Sequence, residues 1–137
     1  MSDGMPRLYA QPCPVARTLD IIGDRWTLLI VRDLFMGNTR FNQFLESSAG
    51  LPPKVLSDRL KKLEEHGLVK RAVYSEHPLR AEYHLTDKGR TLGPVLEAMV
   101  RWGLEHCYDE EPEAREKIVR HILDSTGARM RAPGPTP

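Results

Sequence analysis

The sequence predicts an α+β fold that is mainly α, with the layout of a winged helix-turn-helix. Three observations predict it. "LPPKVLSDRLKKLEEHGLVKR", from Leu51 to Arg71, sets a leucine stripe between a double proline and a glycine stop. The apolar period then changes from helical to alternating through "LVKRAVYS" and "AEYHLT", which reads as a β-hairpin. A long amphipathic stretch follows, from Thr86 or Asp87 almost to Cys107. Helices, then a hairpin, then a long helix is the order in which a helix-turn-helix carries a wing.

Totals set the frame. The chain has 137 residues, enough for one domain with its own core. With 40% hydrophobic and 28% charged residues it has the balance of a soluble globular protein. No apolar run approaches the roughly 20 residues needed to span a bilayer. The start, "MSDGMPRLYAQPC", lacks the apolar core of a secretory signal. A cytoplasmic location and no membrane partner are therefore expected. The net charge of +1 does not announce a polyanion binder, but its distribution is uneven. Lys54 to Arg71 holds six Lys or Arg against three Asp or Glu, whereas Glu105 to Glu116 holds six acids and one Arg. Such a local field steers a polyanion; ordinary solvated faces would carry the same pattern.

Residues 1–12 read as a flexible arm. Pro14 suits the first turn of a helix, and Val15, Leu19 and Ile22 form an apolar stripe that stops at Gly23. Asp24 is a good N-cap for a second helix, whose wide apolar face (Trp26, Leu29, Ile30, Leu34, Phe35) marks it as the domain's centre; Gly37-Asn38 ends it. Phe41, Phe44 and Leu45 form a third helix closed by Gly50. In the fourth, Leu56, Leu60 and Leu63 recur at i, i+4 and i+7, and Gly67 is the stop. These last two helices make the helix-turn-helix. The hairpin has "EHPLR" as a longer tip, with Tyr83 and Leu85 on one side of its second strand. The long helix takes its apolar face from Leu92 to Gly103, with a small irregularity at Gly93-Pro94. Residues 108–125 read as an accessory helix beginning at Pro112, and 126–137 as a disordered tail.

For DNA, the fourth helix suits the major groove with its N-terminal end at base edges, and the wing suits the backbone or the minor groove. With the leucines inward, Lys54, Asp58 and Lys61 lie opposite, flanked by Val55, Ser57 and Lys62. Ser57 can bond bases or phosphates, and Val55 suits a thymine methyl. Lys54 and Lys61 suit phosphates, which position rather than specify. Arg59 neighbours Leu60, so it either braces the domain or meets a phosphate. On the wing, Arg80 is the foremost candidate for a DNA contact, followed by His77 and Arg71; a surface pair of Arg80 with Glu76 or Glu82 is the bland alternative. A solvated helix face is the bland alternative for the whole row on the fourth helix.

Enzymatic chemistry finds no support. Cys13 and Cys107 form neither a CxxC nor a clustered Cys/His pattern, so no metal site or disulfide framework is expected. No Ser/His/Asp set, paired carboxylate or phosphate-binding glycine loop stands out. No cofactor is implied.

"CPVARTLDIIGDRWTLLIVRDLFMGNTRFNQF", "LSDRLKKLEEHGLVKR" and "EYHLTDKGRTLGPVLEAMVRWG" together resemble the HxlR family of bacterial transcriptional regulators, relatives of the MarR group, over about residues 12 to 107. The resemblance implies a homodimer bound to a pseudo-palindromic operator, with the first helix and the long helix after the wing as flanking dimerisation helices. It also implies a phosphate contact from Arg25, where the family commonly has lysine before the tryptophan. Cys13 occupies the family's common cysteine position, through which some members sense thiol-reactive electrophiles or oxidants; a thiol at a helix start suits that, with Arg17 and Arg7 nearby in sequence. A small, half-buried cysteine without a signalling role is the alternative. Small aromatic effectors are known among relatives, and no residue here identifies one. A winged-helix module for protein association, without sequence-specific DNA binding, is the competing function.

Overall fold

The computed structural model describes residues 13–108 and 112–122. The arm expected over 1–12, Arg7 within it, and the tail expected over 126–137 lie outside the described residues. The elements are α1 (Pro14–Ile22), α2 (Thr27–Phe35), α3 (Phe41–Ser47), α4 (Pro53–Glu65), β1 (Val69–Glu76), β2 (Leu79–Leu85), α5 (Asp87–Arg90), α6 (Gly93–His106) and α7 (Pro112–Ile122). This is a mainly helical chain with a two-stranded antiparallel sheet, the winged helix-turn-helix expected from the sequence.

The core sits where α2, α3 and α4 meet the base of the hairpin. Ile30, Val31, Phe44, Leu56, Leu60 and Leu63 are buried together, and Leu68, Val69 and Leu85 extend the cluster into the sheet. The leucine stripe of α4 is thus the inside of the helix. Pro52 and Pro53 start α4, since a first-turn proline lacks only an N–H that would bond nothing. Its end is a Schellman motif. Gly67 takes the left-handed conformation at φ 72°, the Leu68 N–H donates to the Leu63 carbonyl at 2.9 Å, and the Gly67 N–H donates to Glu64 at 3.0 Å. Those bonds aim the chain directly into β1.

The hairpin is tighter than the sequence suggested. Ser75 pairs with Arg80 and Glu76 with Leu79, leaving only His77 and Pro78 at the tip, joined by a cis peptide bond. Arg80 is therefore a strand residue. The long helix after the wing is also divided. Thr86 caps the short α5 by accepting from the Gly89 N–H at 3.0 Å, and α6 starts afresh at Gly93 with Pro94 in its first turn. Gly89 lets α5 pack closely on the start of β1, because a Cβ there would lie 2.0 Å from the Leu68 carbonyl oxygen. Among the described residues, no helix is long and apolar enough to cross a membrane.

The apolar stripes of two helices are only partly covered. In α1 only Ile22 of the predicted stripe is buried; Val15 is 65% and Leu19 56% exposed. On α6, Leu96 and Leu104 are buried while Val95, Met99 and Trp102 face outward. Periodicity identified both helices, but part of each apolar face has no cover within the described chain.

Candidate nucleic-acid interface

The third and fourth helices are held by polar ties that also fix the wing. At the start of α3, the Gln43 side-chain oxygen accepts from the backbone N–H groups of Thr39 and Arg40 at 2.8 and 2.9 Å. The Ser47 hydroxyl, at the end of α3, donates to the buried Asp33 carboxylate at 2.8 Å, and Arg32 pairs with the same oxygen at 3.1 Å. Behind the wing, the Tyr83 N–H donates to the Thr39 carbonyl at 2.8 Å. Arg40 pairs with Glu82 at 3.3 Å and lies 4.8 Å from the centre of the Tyr74 ring. Tyr83 meets buried Phe44 edge to face. The hairpin therefore leaves the domain from a fixed base.

On α4, Lys54, Ser57, Asp58 and Lys61 are exposed, opposite the buried leucines. Val55 is half-buried and packs against the core, so only part of its surface faces outward. The two remaining cations of the helix turn inward, three residues apart. Arg59 Nε donates to Asp24 at 2.8 Å, and Lys62 Nζ donates to the Asp20 carbonyl at 2.8 Å. Within the described chain Arg59 thus makes the bracing contact. The signal available in the sequence was the position of both residues along one flank of the stripe.

Asp24 gathers more than the cap expected of it. Its carboxylate accepts from the N–H groups of Trp26 at 3.0 Å and Thr27 at 3.2 Å, and from the Thr27 hydroxyl, besides Arg59. Burial pushes this carboxyl up, but the hydrogen bonds from Thr27, Arg59 and Trp26, with the Arg59 charge, outweigh it and hold the pKa at about 2 against an ordinary 3.8. The folded value lies below the unfolded one. The stabilisation is therefore complete above about pH 4 and is lost as the pH falls through about 2. Thermal melts between pH 5 and pH 2 are expected to show wild type losing more stability than Asp24→Asn; equal losses would remove this role of Asp24.

On the wing, Arg71, His77 and Arg80 are all exposed. Glu82, one suggested partner for Arg80, instead pairs with Arg40 and His84. Among the described residues, no acid pairs with Arg80. Arg25, exposed at the start of α2, lies 5.0 Å from the centre of the Trp26 ring. Trp26 packs against the core, as expected. Cys13 is exposed at the N-cap of α1, not half-buried, and Cys107 is exposed at the end of α6; both are free thiols.

The arrangement is an outward polar row on one helix and a cationic hairpin fixed beside it. Comparison with known proteins identifies the setting. The model of the HxlR-like helix-turn-helix family matches residues 21–111. The chain is 41% identical over 101 residues to an uncharacterized helix-turn-helix type transcriptional regulator of Synechocystis sp., sll1512, covering 74% of this chain and 75% of that one. Among solved structures, it is similar to PA1607, a candidate transcription factor, with 48% identity and a TM-score of 0.65 over 72% of this chain and 70% of that one. The oxidized form of the redox regulator HypR is also similar, at 38% identity and a TM-score of 0.64, covering 69% of this chain and 97% of that one. The chain belongs to the HxlR-like helix-turn-helix family of transcriptional regulators.

Proposed function

We propose that the chain acts as a homodimer on a pseudo-palindromic operator, with α4 in the major groove and the wing on the backbone or in the minor groove. The observation that carries this reading is the division of α4. Its leucines are buried, its inward cations are engaged, and Lys54, Ser57, Asp58 and Lys61 stay exposed. Ser57 and the outer surface of Val55 face bases, with Asp58 as an acceptor toward cytosine amino groups, while Lys54 and Lys61 take phosphates. Arg80, His77 and Arg71 supply the wing contacts, and Arg25 a phosphate contact at the start of α2. The two-fold symmetry of a dimer places half-sites about one helical turn apart or a multiple of it. A cytoplasmic location goes with this role.

A gel-shift titration on DNA from the chain's own promoter region tests the reading. Wild type should prefer that duplex to unrelated DNA, and binding should weaken steeply with salt. Arg80→Ala should bind about tenfold more weakly, with the salt slope reduced by about 1. Unaltered affinity in Arg80→Ala, with no preference for the promoter duplex in wild type, would favour the protein-association module. The exposed Cys13 thiol supports a thiol-responsive form of the same reading. In the same assay a quinone should then weaken wild type and spare Cys13→Ser; equal weakening of both removes that form.

A further inference from the structure

The first helix is fastened to the rest of the protein in an unusual way. Ile22 is its only buried residue. Among the described residues, the hydrogen bonds that α1 and the Gly23-Asp24 turn make beyond the start of α2 all go to α4. Two cations one helical turn apart make them, Arg59 to the Asp24 carboxylate and Lys62 to the Asp20 carbonyl, each at 2.8 Å. The Lys62 ammonium sits at the C-terminal end of α1, where carbonyls carry the negative end of the helix dipole. The Asp24 carboxylate is itself fixed by two backbone N–H groups and the buried Thr27, so it holds Arg59 as a rigid point rather than a swinging side chain.

We propose that Asp24 is a positioning residue for DNA recognition: its pair with Arg59 ties α4 to the capped first turn of α2, next to the end of α1, so that this joint sets the pose of α4 on the operator. The argument is geometric. A recognition helix gains specificity only when its outward side chains meet base edges within a few tenths of an ångström, whereas phosphate contacts tolerate a shifted pose. Arg59 lies one residue from Asp58 and two from Ser57, on the same helix as the outward row. A displacement of the α1–α2 joint is transmitted to that row through the Arg59 and Lys62 bonds.

The inference rests on the DNA-binding reading above, and the test separates the two. Full-length wild type, Asp24→Asn, Arg59→Met and the double variant are titrated against the promoter duplex and an unrelated duplex of equal length, at several salt concentrations. Asparagine keeps an oxygen for the Trp26 and Thr27 N–H groups but removes the charge that holds Arg59, and methionine keeps the apolar stem, so thermal melts should find each variant folded. The expected result is at least a tenfold fall in the ratio of specific to nonspecific affinity in each single variant. The double variant should be no worse than either single, and the salt slope should stay unchanged. Arg59→Lys, which keeps the charge, should recover part of the ratio. Two outcomes overturn the inference. One is an unchanged ratio in Asp24→Asn while wild type discriminates, which leaves the DNA-binding reading standing. The other is a salt slope reduced by about 1 in Arg59→Met with no loss in Asp24→Asn, which makes Arg59 a phosphate ligand. A wild type that does not discriminate refutes the reading itself.

Discussion

Replacing Leu60 by alanine is expected to remove about 3 kcal/mol of folding stability and to lower the melting temperature by roughly 15 °C. Leu60 is 1% exposed and lies between Leu56 and Leu63, which are fully buried. The truncation loses the transfer energy of the removed carbons and leaves a cavity that the surrounding elements cannot close. Those elements are constrained on every side: α2 by its own buried face, α3 by the Ser47–Asp33 bond, and α4 by the Schellman turn at its end. Domains of this size keep only about 5–15 kcal/mol in total, so the loss is a large share. Urea or thermal denaturation followed by circular dichroism measures it. Lys61→Ala, next in sequence but exposed, should stay within about 0.5 kcal/mol of wild type. A Leu60→Ala melting point within a few degrees of wild type would contradict the placement of the stripe at the centre of the core.

That contrast between neighbouring residues was legible in the sequence because a 3.6-residue period assigns Leu60 inward and Lys61 outward without knowledge of the partner. The same is true of Gly67, whose place after the last helical residue marks a left-handed stop. The tip of the wing was less legible. "EHPLR" has the composition of a loop, yet backbone pairing carries the ladder through Ser75–Arg80 and Glu76–Leu79. Every residue but proline carries a backbone N–H donor, and every residue a carbonyl acceptor, so composition does not locate where the ladder stops. The helix after the wing was predicted with a small irregularity at Gly93-Pro94, where the structure divides it; what the sequence did not show is the close approach of Gly89 to Leu68. That approach joins positions far apart in the chain, which local pattern does not contain.

The site divides in the same way. Lys54, Arg59, Lys61 and Lys62 are alike as letters, and the helical wheel sets Arg59 and Lys62 on one flank of the stripe without saying what they meet there. What assigns Arg59 and Lys62 to bracing is Asp24 and the Asp20 carbonyl, 35 and 42 residues earlier. Arg40 was missed altogether as the anchor of the wing, because its partners Glu82 and Tyr74 are contributed by the hairpin. For α1 the sequence supplied an amphipathic period but not what covers it. Periodicity says that a face is apolar; it does not say whether the same chain buries it.

That open question leads to the second large effect: Leu19→Glu is expected to yield a folded monomer whose operator affinity is at least about a hundredfold weaker. Val15, Leu19, Met99 and Trp102 are each more than half exposed. An apolar groove of about 600 Å³ runs between α1, α2 and α6, lined by Val15, Leu19, Ile22, Leu28, Val95 and Met99 among others. Exposed apolar surface that is contiguous across two helices marks an interaction site, and under the homodimer reading a second copy covers it. Two-fold symmetry places each interface residue there twice, so one substitution buries two carboxylates in an apolar setting, at several kcal/mol each unless they find partners. Within one protomer Leu19 faces outward, so the fold itself should lose no more than about 0.5 kcal/mol. The separated protomers would then bind half-sites singly and forfeit the effective concentration that links them. Analytical ultracentrifugation measures the mass, and gel shift on a full site and a half-site measures the affinity. A Leu19→Glu protein that remains dimeric would remove α1 from the interface. A monomeric wild type would remove the dimer, and the groove would then need a different occupant.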